Sequence, residues 1–237
     1  MVTVVTPTKY NDRLELVRDA LSRQSFRDFE WLICSKEDPK IPEARWIKDV
    51  FDDGFWSLNR AYNELFKEAK GDIIVTWQDN IWADEKALEK FFLAVEETNG
   101  FVSGVGDQYG RLGEYGKPEV KVWIDPRKTE RYGTFYECEP NDIEWNFAAF
   151  PKRAVFEVGG MDEYLDFLGF GGDQLQVMER VDEGGWKCYL DQSNESFTLR
   201  HGRVKGWDKN HVLFNGKYDK RKNELKKSGT WPILAYL

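Results

Sequence analysis

Hydrophobic and polar positions alternate along the first hundred residues in two rhythms, one of period two and one near 3.6. The chain opens on a β-branched run, Val2 to Thr6, stopped at Pro7 because proline cannot donate to a strand ladder. Asn11 or Asp12 can cap a helix running to about Arg23, with Leu14, Val17 and Leu21 on one stripe. Phe29 to Cys34 reads as a second strand. Ser57 to Lys70 reads as a second helix, apolar at Leu58, Ala61, Tyr62, Leu65 and Phe66 and ended by Gly71. Asp72 to Trp77 is apolar nearly throughout, as a strand covered on both faces must be. Ala83 to Glu97 is a third helix, with Asp84 and Glu85 near its positive end. This alternation predicts a parallel sheet with helices on its faces. Ligands of such sheets bind beyond the carboxyl ends of the strands, which singles out Thr6–Asn11, Ser35–Pro39 and Gln78–Trp82.

After Gly100 the rhythm changes. Phe101–Val105 reads as a further strand. Residues 106–145 carry Gly, Tyr, Pro and charge without a long helical stripe, the composition of a functional loop or lid. Pro151–Val158 predicts a short helix with proline at its start, and Gly171–Glu183 another. Lys187–Leu190 and Phe197–His201 read as late strands, and no internal repeat is present.

A length of 237 residues allows one large α/β domain or two small ones. With 41% apolar and 32% charged residues the chain can bury a core. Its ten Trp, ten Tyr and sixteen Phe can fill that core or stack on flat rings such as bases and sugars; Trp77 and Trp82 fall in buried-looking segments, so the core use comes first. The net charge of −8 counts against a nucleic-acid partner, and the basic stretch from Lys217 to Lys227 reads as the solvated face of a C-terminal segment. Cys34, Cys138 and Cys188 form no CxxC pair, which points to a reducing compartment. The apolar opening is too short for a signal-peptide core, and no run approaches the ~20 apolar residues of a membrane span, so no transmembrane segment and a cytoplasmic location are expected.

Three constellations carry candidate chemistry. Gly71 to Trp82 (GDIIVTWQDNIW) delivers Asp79 and Asn80 to a strand's carboxyl end, where a carboxylate can meet a hard divalent cation or simply form a turn. Val158–Glu163 (VGGMDE) and Gly169–Gln174 (GFGGDQ) each set a glycine pair just before an acid, suggesting tight turns that let backbone approach a ligand. Asp173 then stands in a helix's first turn, as a general base or as a cap. Leu199–Arg203 (LRHGR) places His201 at the end of a late strand, as a metal ligand or a structural histidine. Arg203, Lys205 and Trp207 follow, suited to a flap over phosphates or to a basic surface loop.

Taken in this order, the motifs resemble those of the GT-A glycosyltransferases, family 2 in particular, over residues 2 to about 203. VTVVTPTKYN is similar to that family's first strand and nucleotide loop, and LNRAYNELFKEAKGDIIVTWQDN to its helix and metal-motif strand. VGGMDE…GFGGDQ is similar to its acceptor-side signature, and LRHGR to its late metal-binding histidine. The resemblance implies an α/β, GT-A (Rossmann-like) fold, a mostly parallel central sheet flanked by helices with a smaller acceptor-side subregion. It implies one catalytic domain over 1–204, with a nucleotide-binding half to about 105, an acceptor-side half from 106, and a C-terminal arm or flap over 205–237. It further implies an inverting transfer from a nucleotide-diphosphate sugar, a UDP-sugar favoured, to a hydroxyl acceptor that the sequence does not name. Thr6, Pro7, Thr8 and Tyr10 would line the nucleotide pocket, with Arg203 and Lys205 on the donor. Asp79 and His201 would hold Mn2+ or Mg2+, and Asp173 would be the base.

The chain departs from the family pattern at three places. The metal motif is Gln78-Asp79-Asn80, with one carboxylate. Ser35-Lys36 stands where an acidic pair commonly contacts the base, with Glu37 and Asp38 just beyond. The acidic signature reads Asp173-Gln174, leaving its second position without a carboxylate. Rival readings are a non-catalytic nucleotide- or glycan-binding homologue, a viral-type DNA glycosyltransferase and a nucleotidyltransferase, since one fold hosts many functions.

Overall fold

The computed structural model describes residues 1–50, 57–110, 119–130, 133–168, 172–199, 219–234 and 236–237. Strands β1 (Val2–Pro7), β2 (Phe29–Ser35), β3 (Arg45–Lys48) and β4 (Ile73–Trp77) alternate with helices α1 (Leu14–Ser22) and α2 (Leu58–Glu68). The chain continues through β5 (Ile81–Ala83), α3 (Ala87–Thr98), β6 (Phe101–Tyr109), β7 (Lys121–Trp123) and β8 (Phe135–Glu137). It then forms β9 (Phe147–Pro151), α4 (Lys152–Glu157), α5 (Asp173–Glu183) and β10 (Cys188–Leu199). Residues 219–228 are helical.

The ten strands among the described residues form one sheet, with the order β3-β2-β1-β4-β9-β6-β10-β5 and with β7 on β6 and β8 on β10. β1 pairs in parallel with both β2 and β4, and β6 with β10, while β9 runs antiparallel between β4 and β6. The carboxyl ends of β1, β2, β4, β6 and β10 therefore share one edge, and β9 begins there.

Alternation along the strands sends successive side chains to opposite faces. Val2, Val4, Val75, Trp77 and Phe147 join α1 and α3 residues such as Val17 and Phe91 on one face. Val5, Leu32, Ile74 and Phe150 join Tyr62, Leu65 and Phe66 of α2 and Val177 of α5 on the other. Each fully buried large apolar side chain contributes roughly 1.5–3 kcal/mol, so these layers fix the strand ends that carry the polar residues.

Several elements differ from the sequence expectation. Neither Asn11 nor Asp12 caps α1. Residues Asn11–Arg13 form a 3-10 turn, and the Asn11 amide instead donates to Glu37 O at 3.0 Å. Helix α2 ends at Glu68 and its C-cap is Ala69, with no left-handed Gly71. Gly71 is required for space: a Cβ there would stand 2.7 Å from Met1 O. The third helix begins at Ala87, because Ile81–Ala83 form a strand on β10. The two late strands are one, Cys188–Leu199, whose register against β6 shifts between Asp191 and Glu195. Strand β9 was not expected at all.

Candidate functional site

The β1–α1 loop is fixed from two sides. Thr8 N donates to Cys34 O at 2.9 Å, and Glu37 O accepts from both Asn11 Nδ2 and Ser35 Oγ, tying the loops after β1 and β2 together. Thr6 is wholly buried; its hydroxyl donates to Trp77 O at 2.7 Å and accepts from Trp31 Nε1 at 3.0 Å. It locks β1 to β4 from inside the sheet. Pro7 closes β1 opposite Cys34. Thr8 is the first side chain beyond the strand to turn toward β4, and Tyr10 is exposed with the Arg13 guanidinium over its ring.

Asp79 follows β4 by two residues and is half-buried. Its Oδ2 accepts the Thr8 hydroxyl at 2.5 Å, so the nucleotide-loop and metal-motif candidates meet. The Asp79 turn is closed by Ile81 N donating to Gln78 O at 3.2 Å and tied to its neighbours by two further backbone bonds. Gln78 N donates to Asn146 O at 3.0 Å, and Leu199 N donates to Asn80 O at 3.0 Å. Buried Asn80 thus ties the end of β10 to the residue beside Asp79. Among the described residues, no group of three or more His, Cys, Asp or Glu could hold a metal ion. His201, Arg203 and Lys205 lie outside the described residues.

Asp173 opens α5 and is buried. Gly172, left-handed at φ 78°, occupies the N-cap without a side-chain cap bond, and the Asp173 carboxylate accepts from Asn59 Nδ2 at 3.4 Å. Gln174 does not share its chemistry: its amide donates to Ile143 O at 2.5 Å and accepts from Trp145 N at 3.1 Å, pinning the segment that leads into β9. The charges of Asp173 and Asp79 both act on Tyr62. Its hydroxyl donates to Trp145 O at 3.2 Å. Burial drives the phenol far above its ordinary value, a hydrogen bond with Gln78 opposes this, and the charges of Asp173 and Asp79 both add to it.

Sequence reasoning missed Asn59, Tyr62, Asp166 and Glu144. Asp166 accepts from Asn59 N, Asn59 Nδ2, Arg60 N and Arg60 Nε at 2.9–3.2 Å, and burial outweighs these donors to raise its pKa to about 6. Burial also raises Glu144, one residue before Trp145, with Arg127 opposing. Tyr62 was visible only as one apolar position of a helical stripe, and Asn59 carried no signal.

The Gly159-Gly160 turn does admit a close backbone approach, and the approaching backbone is the chain's own C-terminal segment. Both glycines have φ of 78°, and a Cβ on Gly159 would fall 1.5 Å from Leu234 O. Asp162, after the turn, accepts from Gln176, Arg221 and the Tyr236 hydroxyl. A separate surface cavity lined by Asp72, Asn99, Lys152 and Phe156 lies at the opposite edge of the sheet and shares none of these residues.

An α/β sheet of this order, with Thr8 and Asp79 meeting past the ends of β1 and β4, has a GT-A-like, Rossmann-type fold. A solved structure with this fold is TarS of S. aureus, residues 1–349, in complex with UDP. The match has a TM-score of 0.61 at 9% sequence identity and covers 84% of this chain and 60% of that one. This chain thus spans 60% of the length of that structure. No family model and no curated protein matches the chain. Among the described residues, no helix is long and apolar enough to cross a membrane.

Proposed function

We propose that the protein is an inverting, metal-dependent glycosyltransferase that moves a sugar from a nucleotide diphosphate, a UDP-sugar by preference, to a hydroxyl acceptor. The observation that carries this reading is the meeting of the nucleotide-loop and metal-motif candidates, Thr8 and Asp79, at the carboxyl edge of the sheet. The UDP in the TarS structure supports the choice of nucleotide.

The donor set fits a hard cation only in part. Asp79 is one carboxylate with Oδ2 already accepting from Thr8, which suits Mg2+ or Mn2+ when phosphate oxygens and water complete the shell. His201 is the second protein ligand in this proposal. In the sequence it follows by two residues Leu199, whose N–H donates to Asn80 O. The cation, when bound, supplies charge neutralisation on the diphosphate.

Thr8 and Tyr10 present side chains at the nucleotide loop, while Thr6 and Pro7 set its backbone. Arg203 and Lys205 contact the diphosphate as charge-assisted donors. Asp173 takes the proton from the acceptor hydroxyl. That oxygen bonds to the anomeric carbon as the carbon–phosphate-oxygen bond breaks on the opposite face, and the nucleoside diphosphate leaves with the electron pair. No covalent enzyme intermediate is required.

Incubation with a panel of nucleotide sugars and Mn2+, read by mass spectrometry, tests the proposal. It expects release of UDP above background with at least one UDP-sugar. Binding of UDP without release from any donor would instead support the non-catalytic homologue, the reading that the single carboxylate of Gln78-Asp79-Asn80 favours.

A further inference from the structure

Helix α2 brings its first turn against Asp173, and the contact is made by a side chain held from behind. Asn59 is wholly buried, and its amide nitrogen carries two protons. One is donated to Asp166 Oδ1 at 2.9 Å, the other to Asp173 Oδ2 at 3.4 Å. Turning the amide over would aim its oxygen at two carboxylates, so the orientation is determined by charge. The consequence is visible on the other side of the group, where Asn59 Oδ1 is buried without a hydrogen-bond partner. Such an orphan is uncommon in a protein interior and persists where something else needs the geometry. Asp166 does not require Asn59's side chain to be satisfied, because it also accepts from the backbone N–H groups of Asn59 and Arg60 and from Arg60 Nε.

We infer that Asn59 and Asp166 are positioning residues for Asp173: Asp166 fixes the Asn59 amide, whose second N–H holds one carboxylate oxygen of the base. The inference rests on the reading of Asp173 as base and deepens it. The hydrogen bond favours the ionised carboxylate, the form that takes a proton from a hydroxyl. Among the titratable groups nearby, Asp166 lies behind Asn59, and the Asp173 charge acts on the Tyr62 hydroxyl of α2, as does that of Asp79.

Carboxyl-carbon NMR of the full chain, without nucleotide or metal, tests this directly, with the Asp173 resonance assigned by Asp173→Asn. Asn59→Leu deletes the amide while leaving the backbone donors to Asp166, and is expected to strengthen proton binding at Asp173 about tenfold. Asn59→Ala serves equally where the leucine variant does not fold. Proton binding at Asp173 within twofold of wild type overturns the inference. Donor hydrolysis separates the two readings. The expected result for Asn59→Leu is a kcat about tenfold lower with donor KM within about twofold. Asp173→Asn retaining wild-type UDP release overturns the reading of the base. Loss of release in Asp173→Asn, with wild-type kcat in Asn59→Leu, overturns the positioning role alone.

Discussion

The Thr8 hydroxyl donates to Asp79 Oδ2 across 2.5 Å, joining the loop after the first strand to the turn after the fourth. The same hydroxyl accepts from Tyr10 N at 2.9 Å, so one side chain sets both the loop's backbone and the rotamer of the carboxylate. A network of this kind positions a single carboxylate more tightly than its own backbone can. Replacing Thr8 by Val removes the donor and keeps the shape. Metal-dependent UDP affinity is expected to fall about fivefold, near 1 kcal/mol, with thermal stability unchanged. Unchanged affinity in a calorimetric titration would mean that the bond has no bearing on the donor.

The division of roles between the two carboxylates is testable in one variant. Asp173→Asn should bind UDP within about twofold of wild type, while transfer or donor hydrolysis falls by roughly 100-fold or more. Equal loss of binding and turnover would show that Asp173 belongs to the donor site.

Asp166 should carry a pH signature. Its folded pKa of about 6 lies above the ordinary 3.8, so the folded state keeps a proton that the unfolded chain has released between those values. Stability therefore falls as pH rises through that window, and above it the ionised carboxylate is destabilising by something on the order of 3 kcal/mol. Asp166→Asn removes the titration, at the cost of an NH2 group where an oxygen accepts from two N–H groups. Urea denaturation at several pH values should find wild type losing stability relative to the variant between about pH 4 and pH 8. A stability difference between the two that stays constant over that range would contradict the assignment. A buried charge kept at such a cost is consistent with the positioning of Asn59.

The docking of the C-terminal segment depends on Gly159. A Cβ there is opposed by both the left-handed backbone and the main chain of Leu234. Gly159→Ala should lose at least about 2 kcal/mol of stability and open the Lys/Arg sites of residues 220–227 to trypsin. Wild-type protease resistance would show that the segment is held elsewhere.

Periodicity in the sequence was enough to read β1, β2, β4, α2 and α5 to within a few residues, because each is a continuous apolar stripe or run bounded by proline, glycine or charge. Phe147–Pro151 escaped it: two alanines and a terminal proline carry little strand signal, and the segment is a strand only because β4 and β6 flank it. The polar centre of β10, Asp191–Glu195, looked like a break and is a register shift within one strand. At the candidate site, the placement of Thr8 and Asp79 past strand ends and of Asp173 at a helix start was legible, because each stands at a recognisable motif. Asn59, Tyr62 and Asp166 were not, since their roles arise from contacts far along the chain that no local spacing encodes. The glycine pair at 159–160 was correctly read as a close approach, with the partner misassigned.

The central claim is that Asp79 binds a nucleoside diphosphate through a divalent cation. Isothermal titration of UDP into wild type and Asp79→Asn, each with and without Mn2+, tests it most directly. The account predicts binding that requires Mn2+ in wild type and is weakened at least about tenfold by the substitution. UDP binding that is indifferent to both Mn2+ and Asp79, or absent throughout, would contradict it.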